Sequence, residues 1–246
     1  MKRIGKWGLA LVAIAGLGVL ALVIDVGDVT GRRAEGRRAA RMAQSPQFNP
    51  AEARFTNALP RIDASFVAIV YEYFLGGSTH RLPQNFTFPV IDPRPTWAQS
   101  SRSGLRVTWL GHSTFLVEID GIRTLVDPIW SERASPFTWA GPRRFFKPIV
   151  PIEDVPPIQA VLISHDHYDH LDRFTVGQLA QRSVQWIVPI GLGAHLEYWG
   201  VGADKITELD WWESTKVGAV TITSTPSRHF SGRSIFFTDQ NATLWT

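Results

Sequence analysis

The chain has 246 residues, 44% hydrophobic and 19% charged, which is ordinary for a globular enzyme and leaves room for one large domain plus an appendage. It contains no cysteine, so disulfides and thiolate ligands are excluded and any metal must be held by His, Asp or Glu. The net charge of +3 is concentrated at one end: residues 1 to 41 carry eight Lys or Arg against Asp25, Asp28 and Glu35, leaving a slightly acidic body that argues against a nucleic-acid partner.

After Lys2, Arg3 and Lys6, the run Trp7 to Ile24 has no charged or strongly polar residue and is long enough to span a bilayer as a helix. The rival is a cleaved signal peptide. Its one Ala-x-Ala match, Ala13-Ile14-Ala15, lies inside the apolar run rather than after it, so residues 1–30 read as a transmembrane anchor with its flanks. Basic residues stand on both sides of the run, so orientation is not decided, and the basic flank suits anionic lipid headgroups. Residues 31 to 60 lack a sustained apolar period and read as a linker or loosely ordered arm. Ile62, Phe66, Ile69, Val70, Tyr73 and Phe74 recur at helical spacing, predicting an amphipathic helix that stops at Gly76-Gly77. Pro83, Pro89, Pro93 and Pro95 then mark an extended wrapping segment, completing residues 31–103.

From residue 104 the pattern changes to strands: Leu105 to Leu110, Thr114 to Ile119, the turn Asp120-Gly121, and Ile122 to Val126. A Pro- and aromatic-rich excursion follows. The pattern then predicts a strand at Ala160 to Ile163, a helix from Leu171 to Arg182, a strand at Trp186 to Pro189, a helix within Gly191 to Gly200 and a strand at Lys205 to Leu209. A hairpin joins Lys216-Val217 to Val220 through Thr225, and Thr243-Leu244-Trp245 reads as the start of a strand.

Between the strand ending at Ile163 and its helix lies Ser164-His165-Asp166-His167-Tyr168-Asp169-His170, three of the seven histidines within six positions. Imidazole nitrogen and carboxylate oxygen suit zinc and similar divalent ions. His165 and His167 project to one side of an extended turn while Asp169 and His170 reach the other, so two adjacent ions are expected. His229 stands after the Thr221 to Thr225 strand, also at a strand end. Asp127 either orients a ligand imidazole or caps the turn before Pro128; His112 is either a supporting residue or a core histidine. His80 and His195 read as surface or packing residues, and Trp211-Trp212 as core rather than a substrate platform.

From about Leu105 onward the chain resembles the metallo-β-lactamase superfamily, through the HxHxDH turn. Thr108-Trp109-Leu110-Gly111-His112-Ser113-Thr114, Asp127-Pro128, Glu208-Leu209-Asp210-Trp211-Trp212-Glu213 and Arg228-His229-Phe230-Ser231-Gly232-Arg233 are similar to the branch containing N-acylphosphatidylethanolamine-hydrolysing phospholipase D and its bacterial relatives. The resemblance implies an α/β fold, a four-layer αββα sandwich, over residues 104–246, with zinc as cofactor. It assigns His165, His167 and His229 to one ion and Asp169 with His170, the catalytic pair, to the other. It further implies a phospholipid substrate at a membrane, cleaved on the headgroup side to a phosphatidic acid and an N-acylethanolamine. A lactonase or soluble phosphodiesterase on the same scaffold, and an inactive membrane-anchored fragment, are the alternatives. The family's bridging aspartate and last histidine lie downstream of the His229 motif, and Asp239 reads as a turn residue rather than a substitute. An N-terminal portion of a longer protein is therefore expected.

Overall fold

The computed structural model describes residues 26–61, 65, 67–68, 71–72, 75, 87–99, 104–234 and 238–246. The apolar run Trp7 to Ile24 of the expected membrane anchor, the apolar face of the expected amphipathic helix and His80 lie outside the described residues. Among the described residues no helix is long and apolar enough to cross a membrane. Residues 67–68 and 71–72 are helical, and the Leu75 amide donates to the Tyr71 carbonyl at 2.7 Å.

In chain order the elements are α1 (Gly36–Met42), β1 (Phe48–Asn49), β2 (Arg54–Phe55), α2 (Arg94–Trp97), β3 (Leu105–Gly111), β4 (Thr114–Ile119), β5 (Ile122–Val126), β6 (Ala160–Leu162), α3 (Arg173–Leu179), β7 (Gln185–Pro189), α4 (Gly193–Tyr198), β8 (Ile206–Leu209), β9 (Ser214–Val217) and β10 (Val220–Thr223). Strands β3 to β8 form one six-stranded sheet in sequence order, with β3–β4–β5 antiparallel and β5–β6–β7–β8 parallel. Parallel neighbours need a crossover, and α3 and α4 supply it after β6 and β7.

Register separates the two faces. Leu116, Leu125, Val161 and Trp186 stand side by side across β4 to β7 and pack with Leu171, Val176, Leu179 and Leu196 from the helical side. Full burial of each such side chain contributes about 1.5–3 kcal/mol. The other face carries Ala160, Leu162 and Ile187, which meet Val217 and Ile222 of the antiparallel β9–β10 hairpin. Helices, large sheet and hairpin thus give three of the four expected layers among the described residues.

Two stretches differ from the sequence reading. Residues 31 to 60 pack firmly: Met42 and Phe55 join Ile190, Trp211, Leu244 and Trp245 in a second buried cluster. The anchors are single apolar residues flanked by ion pairs, Arg38 with Glu208 at 2.8 Å and Arg41 with Glu213, so no apolar period announces them. Thr243 to Trp245 form no strand. The Leu244 amide donates to the Ile190 carbonyl and that of Thr246 to Ser164, and burial of both Leu244 and Trp245 holds the segment across the strand ends.

On the helical face, Glu118 is 1% exposed and is held by Arg106 Nη2 at 2.7 Å and Arg123 Nε at 2.9 Å, which ties β3, β4 and β5 together. Breaking a buried pair by removing one charge costs about 3 kcal/mol. Glu118→Gln is expected to lower unfolding free energy by about that amount in denaturant titration. Glu52→Gln, on the exposed pair with Arg54, shifts it by less than about 0.5 kcal/mol.

Candidate metal centre

Ligand sites on open α/β sheets form at the carboxyl ends of parallel strands, where side chains from adjacent loops converge. Here β5 ends in Asp127 and β6 runs into the loop 163–172. Asp127 is buried and adopts φ +41, outside the comfortable range of an L-residue. Its Oδ1 accepts the Ser164 amide at 2.7 Å; its Oδ2 accepts Ser164 Oγ at 2.7 Å and His170 Nδ1 at 2.8 Å.

This carboxylate fixes two tautomers. An ionised carboxylate only accepts, so His170 carries its proton on Nδ1 and the Ser164 hydroxyl spends its one hydrogen on Asp127. Ser164 Oγ, 2.9 Å from His165 Nδ1, must then accept from that ring. Both imidazoles are left with bare Nε2 lone pairs, the arrangement that metal-binding histidines adopt when a carboxylate holds the other nitrogen.

The lone pairs converge in two groups. His165 Nε2 lies 3.0 Å from His167 Nδ1 and 3.1 Å from His229 Nε2, and the last two are 3.3 Å apart. Three nitrogens held about 2.0–2.1 Å from one tetrahedral ion stand about 3.3 Å from each other, so the donor type and spacing fit a zinc-like ion. The second group joins His112, Asp169 and His170: Asp169 Oδ2 is 3.2 Å from His112 Nε2 and 3.6 Å from His170 Nε2. The turn is closed by His170 and Leu171 amides donating to the His167 carbonyl.

In the first cluster the charge states favour ligation. Burial, reinforced by the neighbouring imidazoles, pushes His165 down to about 2, and burial also lowers His167 and His229. Burial would lower His170 too, but Asp127 overrides it and raises the ring above its usual value. Burial opposes ionisation of Asp169, yet the adjacent His170 and His112 hold it below the ordinary carboxylate range.

The five sequence-nominated residues, His165, His167, Asp169, His170 and His229, are all brought together, while Asp239 accepts the Arg233 and Ser234 amides in a turn. Trp211 is buried whereas Trp212 is exposed at φ +71, and His195 is buried with its Nδ1 accepting the Arg32 amide. His112, read from the sequence as either a supporting or a core histidine, joins the second cluster, and Asn57 and Asp166 contribute in ways the sequence reading missed. His112 reaches ligand distance only because φ +49 turns its side chain out of β3 toward Asp169. Asn57 grips His229, its Oδ1 accepting the amide at 3.0 Å and its Nδ2 donating to the carbonyl at 2.8 Å. Asp166 points away from the ligands, accepting the Gly232 amide and the Thr243 hydroxyl, while Arg233 donates to the Asp166 and Leu171 carbonyls. An Asn in a segment without apolar period and an Asp inside the motif give no sequence signal for these jobs.

Residues 122–246 match the family model described as the beta-lactamase superfamily domain. An uncharacterized protein of Mycobacterium tuberculosis is 48% identical over 158 residues, covering 64% of this chain and 42% of that protein. An N-acyl-phosphatidylethanolamine-hydrolyzing phospholipase D of Caenorhabditis elegans is 39% identical over 155 residues, covering 59% and 43%. A metal-dependent hydrolase of Methanopyrus kandleri is 31% identical over 128 residues, covering 52% and 48%. The chain therefore spans less than half the length of each of these relatives.

Two outcomes are expected. Because three imidazoles titrate below the unfolded value of about 6.5 and one above it, the unfolded chain takes up more protons on acidification, and stability falls with pH. The metal-free protein should melt at a lower temperature at about pH 5.5 than at about pH 7.5, with a shallower slope for His165→Gln. Asp127→Asn should weaken divalent-metal affinity by about 10–100-fold in competition titrations with a chelator.

Proposed function

The chain belongs to the beta-lactamase superfamily, and from that membership and its two donor clusters we propose a metal-dependent hydrolase of the phospholipase D type, acting on N-acylphosphatidylethanolamine-like lipids at a membrane. The observation that carries the reading is the single loop 164–170, which sends His165 and His167 to one cluster and Asp169 and His170 to the other. The lipid assignment draws on the Caenorhabditis elegans relative, and the apolar run Trp7 to Ile24 suits a substrate embedded in a bilayer. Zinc is the ion proposed, on the all-nitrogen donor set and spacing of the first cluster.

His165, His167 and His229 would hold one ion; Asp169, His170 and His112 would hold the other. When bound, such ions supply Lewis acidity, activating water at neutral pH and drawing charge from a phosphoryl oxygen. The chain's own residues prepare that chemistry. Burial keeps the first three rings neutral, so they offer lone pairs rather than protons, and Asp127 with Ser164 aims two of the rings without reorganisation. Water adds across the phosphodiester on its headgroup side, the phosphoryl group keeping the diacylglycerol oxygen and the alcohol leaving as an N-acylethanolamine.

Zinc-loaded protein mixed with phosphatidylcholine vesicles containing N-acylphosphatidylethanolamine is expected to release N-acylethanolamine, with two ions bound per chain by elemental analysis. His165→Ala should bind one ion and lose release. No release with both ions bound, or faster cleavage of a lactone or a soluble phosphodiester, would overturn the lipid assignment.

A further inference from the structure

A cleft of about 460 Å³ opens beside the second cluster, with His112 in its wall. The excursion between β5 and β6 and the segment before α2 build the rest of it from aromatic rings. Phe88 stacks on Phe145 with centroids 6.3 Å apart and lies 5.2 Å from Phe146, and Phe146 meets the edge of Trp109 at 5.7 Å. Ile129 and Arg144 complete the lining that matters here.

Arg144 is anomalous in this wall. Its Nη1 donates to the Ile129 carbonyl at 2.6 Å and its Nε to the Phe146 carbonyl at 3.3 Å, which fixes the guanidinium plane. Its Nη2 lies against Gly111, 2.9 Å from where a Cβ would stand, so the free end of the fork sits next to the residue that precedes His112. Among the described residues no carboxylate lies within ion-pair distance of it. Its neighbour Arg143 pairs with Glu132, and the nearby Asp172 is saturated by the amides of Trp130, Ser131 and Phe174 and the hydroxyls of Ser131 and Thr175. Burial pulls the Arg144 pKa below its usual value, with the charge of Asp172 as partial compensation. A guanidinium stays charged even so, and a half-buried one without a counter-ion is offset best by an anion that arrives with the ligand.

We propose that Arg144 is a specificity-determining residue that receives the anionic group of an amphiphilic substrate, while the apolar arm of that substrate lies along Phe88, Phe146 and Trp109. The inference rests on the hydrolase reading for its relevance, since His112 joins this cleft to the second donor cluster. It does not rest on that reading for its test. Aromatic faces take an acyl or alkyl chain without demanding a fixed length, and the fork of Arg144 demands a phosphate or carboxylate. The cleft therefore selects an anionic lipid over both a neutral one and a small free anion.

The test is binding, by calorimetry on the zinc-loaded chain, of monomeric dodecyl phosphate, dodecanol and inorganic phosphate. Dodecyl phosphate should bind at least about tenfold more tightly than either comparison ligand, the span of one charge-assisted hydrogen bond. Arg144→Gln should weaken dodecyl phosphate by about 10–100-fold and leave dodecanol unchanged, Arg144→Lys should restore part of the loss, and Phe146→Ala should weaken both alkyl ligands. Inorganic phosphate binding as tightly as dodecyl phosphate, or dodecanol doing so, overturns the proposal on the unmodified protein alone, whether or not the variants fold. Equal affinity of Arg144→Gln and the unmodified chain overturns it as well. Failure of N-acylphosphatidylethanolamine hydrolysis with these affinities intact would count against the hydrolase reading and leave the cleft assignment standing.

Discussion

The site depends on one carboxylate held in an unfavourable backbone conformation. Asp127 must leave β5 at φ +41 so that its side chain turns under the loop that follows β6, where both oxygens are used at once. Left-handed conformations cost a non-glycine residue of order 1 kcal/mol, and three hydrogen bonds to an ionised acceptor exceed that comfortably. The return is chemical: with protons placed on His170 Nδ1 and, through Ser164, on His165 Nδ1, each ring in its neutral form turns a bare Nε2 toward the space where an ion belongs. A second strained position, His112 at φ +49, lies in the turn between β3 and β4, so that turn and the end of β5 close on the same point.

Around that centre the chain ends act as clamps. The Asp166 carboxylate, fully buried, turns its back on the ligands and binds the Gly232 amide and Thr243 hydroxyl, while Arg233 reaches the carbonyls of Asp166, Leu171 and Val29. Three distant stretches thus meet behind one loop. Asn57 does the same for His229 from the opposite side, and Glu208, binding the Gly191 and Gly193 amides as well as Arg38, joins the arm to the start of α4. The donor residues are accordingly held in place by side chains and backbone groups of segments that lie outside the two clusters.

Much of this was legible from residues alone. Strands β3 to β8 follow alternation or short apolar runs bounded by turn residues, and the HxHxDH turn falls where a strand gives way to a helix, so the main sheet and four candidate site residues could be read directly, while His229 was nominated by the resemblance of its flanking motif. The arm was not legible, because Met42 and Phe55 are single anchors whose partners, Trp211 and Trp245, lie far along the chain and leave no local period. His112 was ambiguous for a related reason: in the strand pattern it is one polar residue in a turn, and only its φ sends the ring toward Asp169. Trp211 and Trp212 lie in the turn between β8 and β9, where no local period applies, and there Trp211 is buried while Trp212, at φ +71, is exposed.

The distribution of covered surface also bears on how the centre works. Leu105, Val107 and Trp109 of β3 are exposed, and register places them on the same sheet face as Ile122, Ala160 and Leu162, which the β9–β10 hairpin covers. The hairpin shelters the parallel half of the sheet and leaves the antiparallel half open. Trp109 is where that open face turns into the aromatic cleft, through its edge contact with Phe146, while its indole N–H donates to the His112 carbonyl at 2.8 Å. One side chain therefore borders the exposed apolar face, the cleft and the backbone of a ligand-distance histidine. An apolar group resting on that face would meet Trp109, whose indole is bonded to the backbone of His112 in the second donor cluster, so the exposed face and the cleft are continuous at this one side chain.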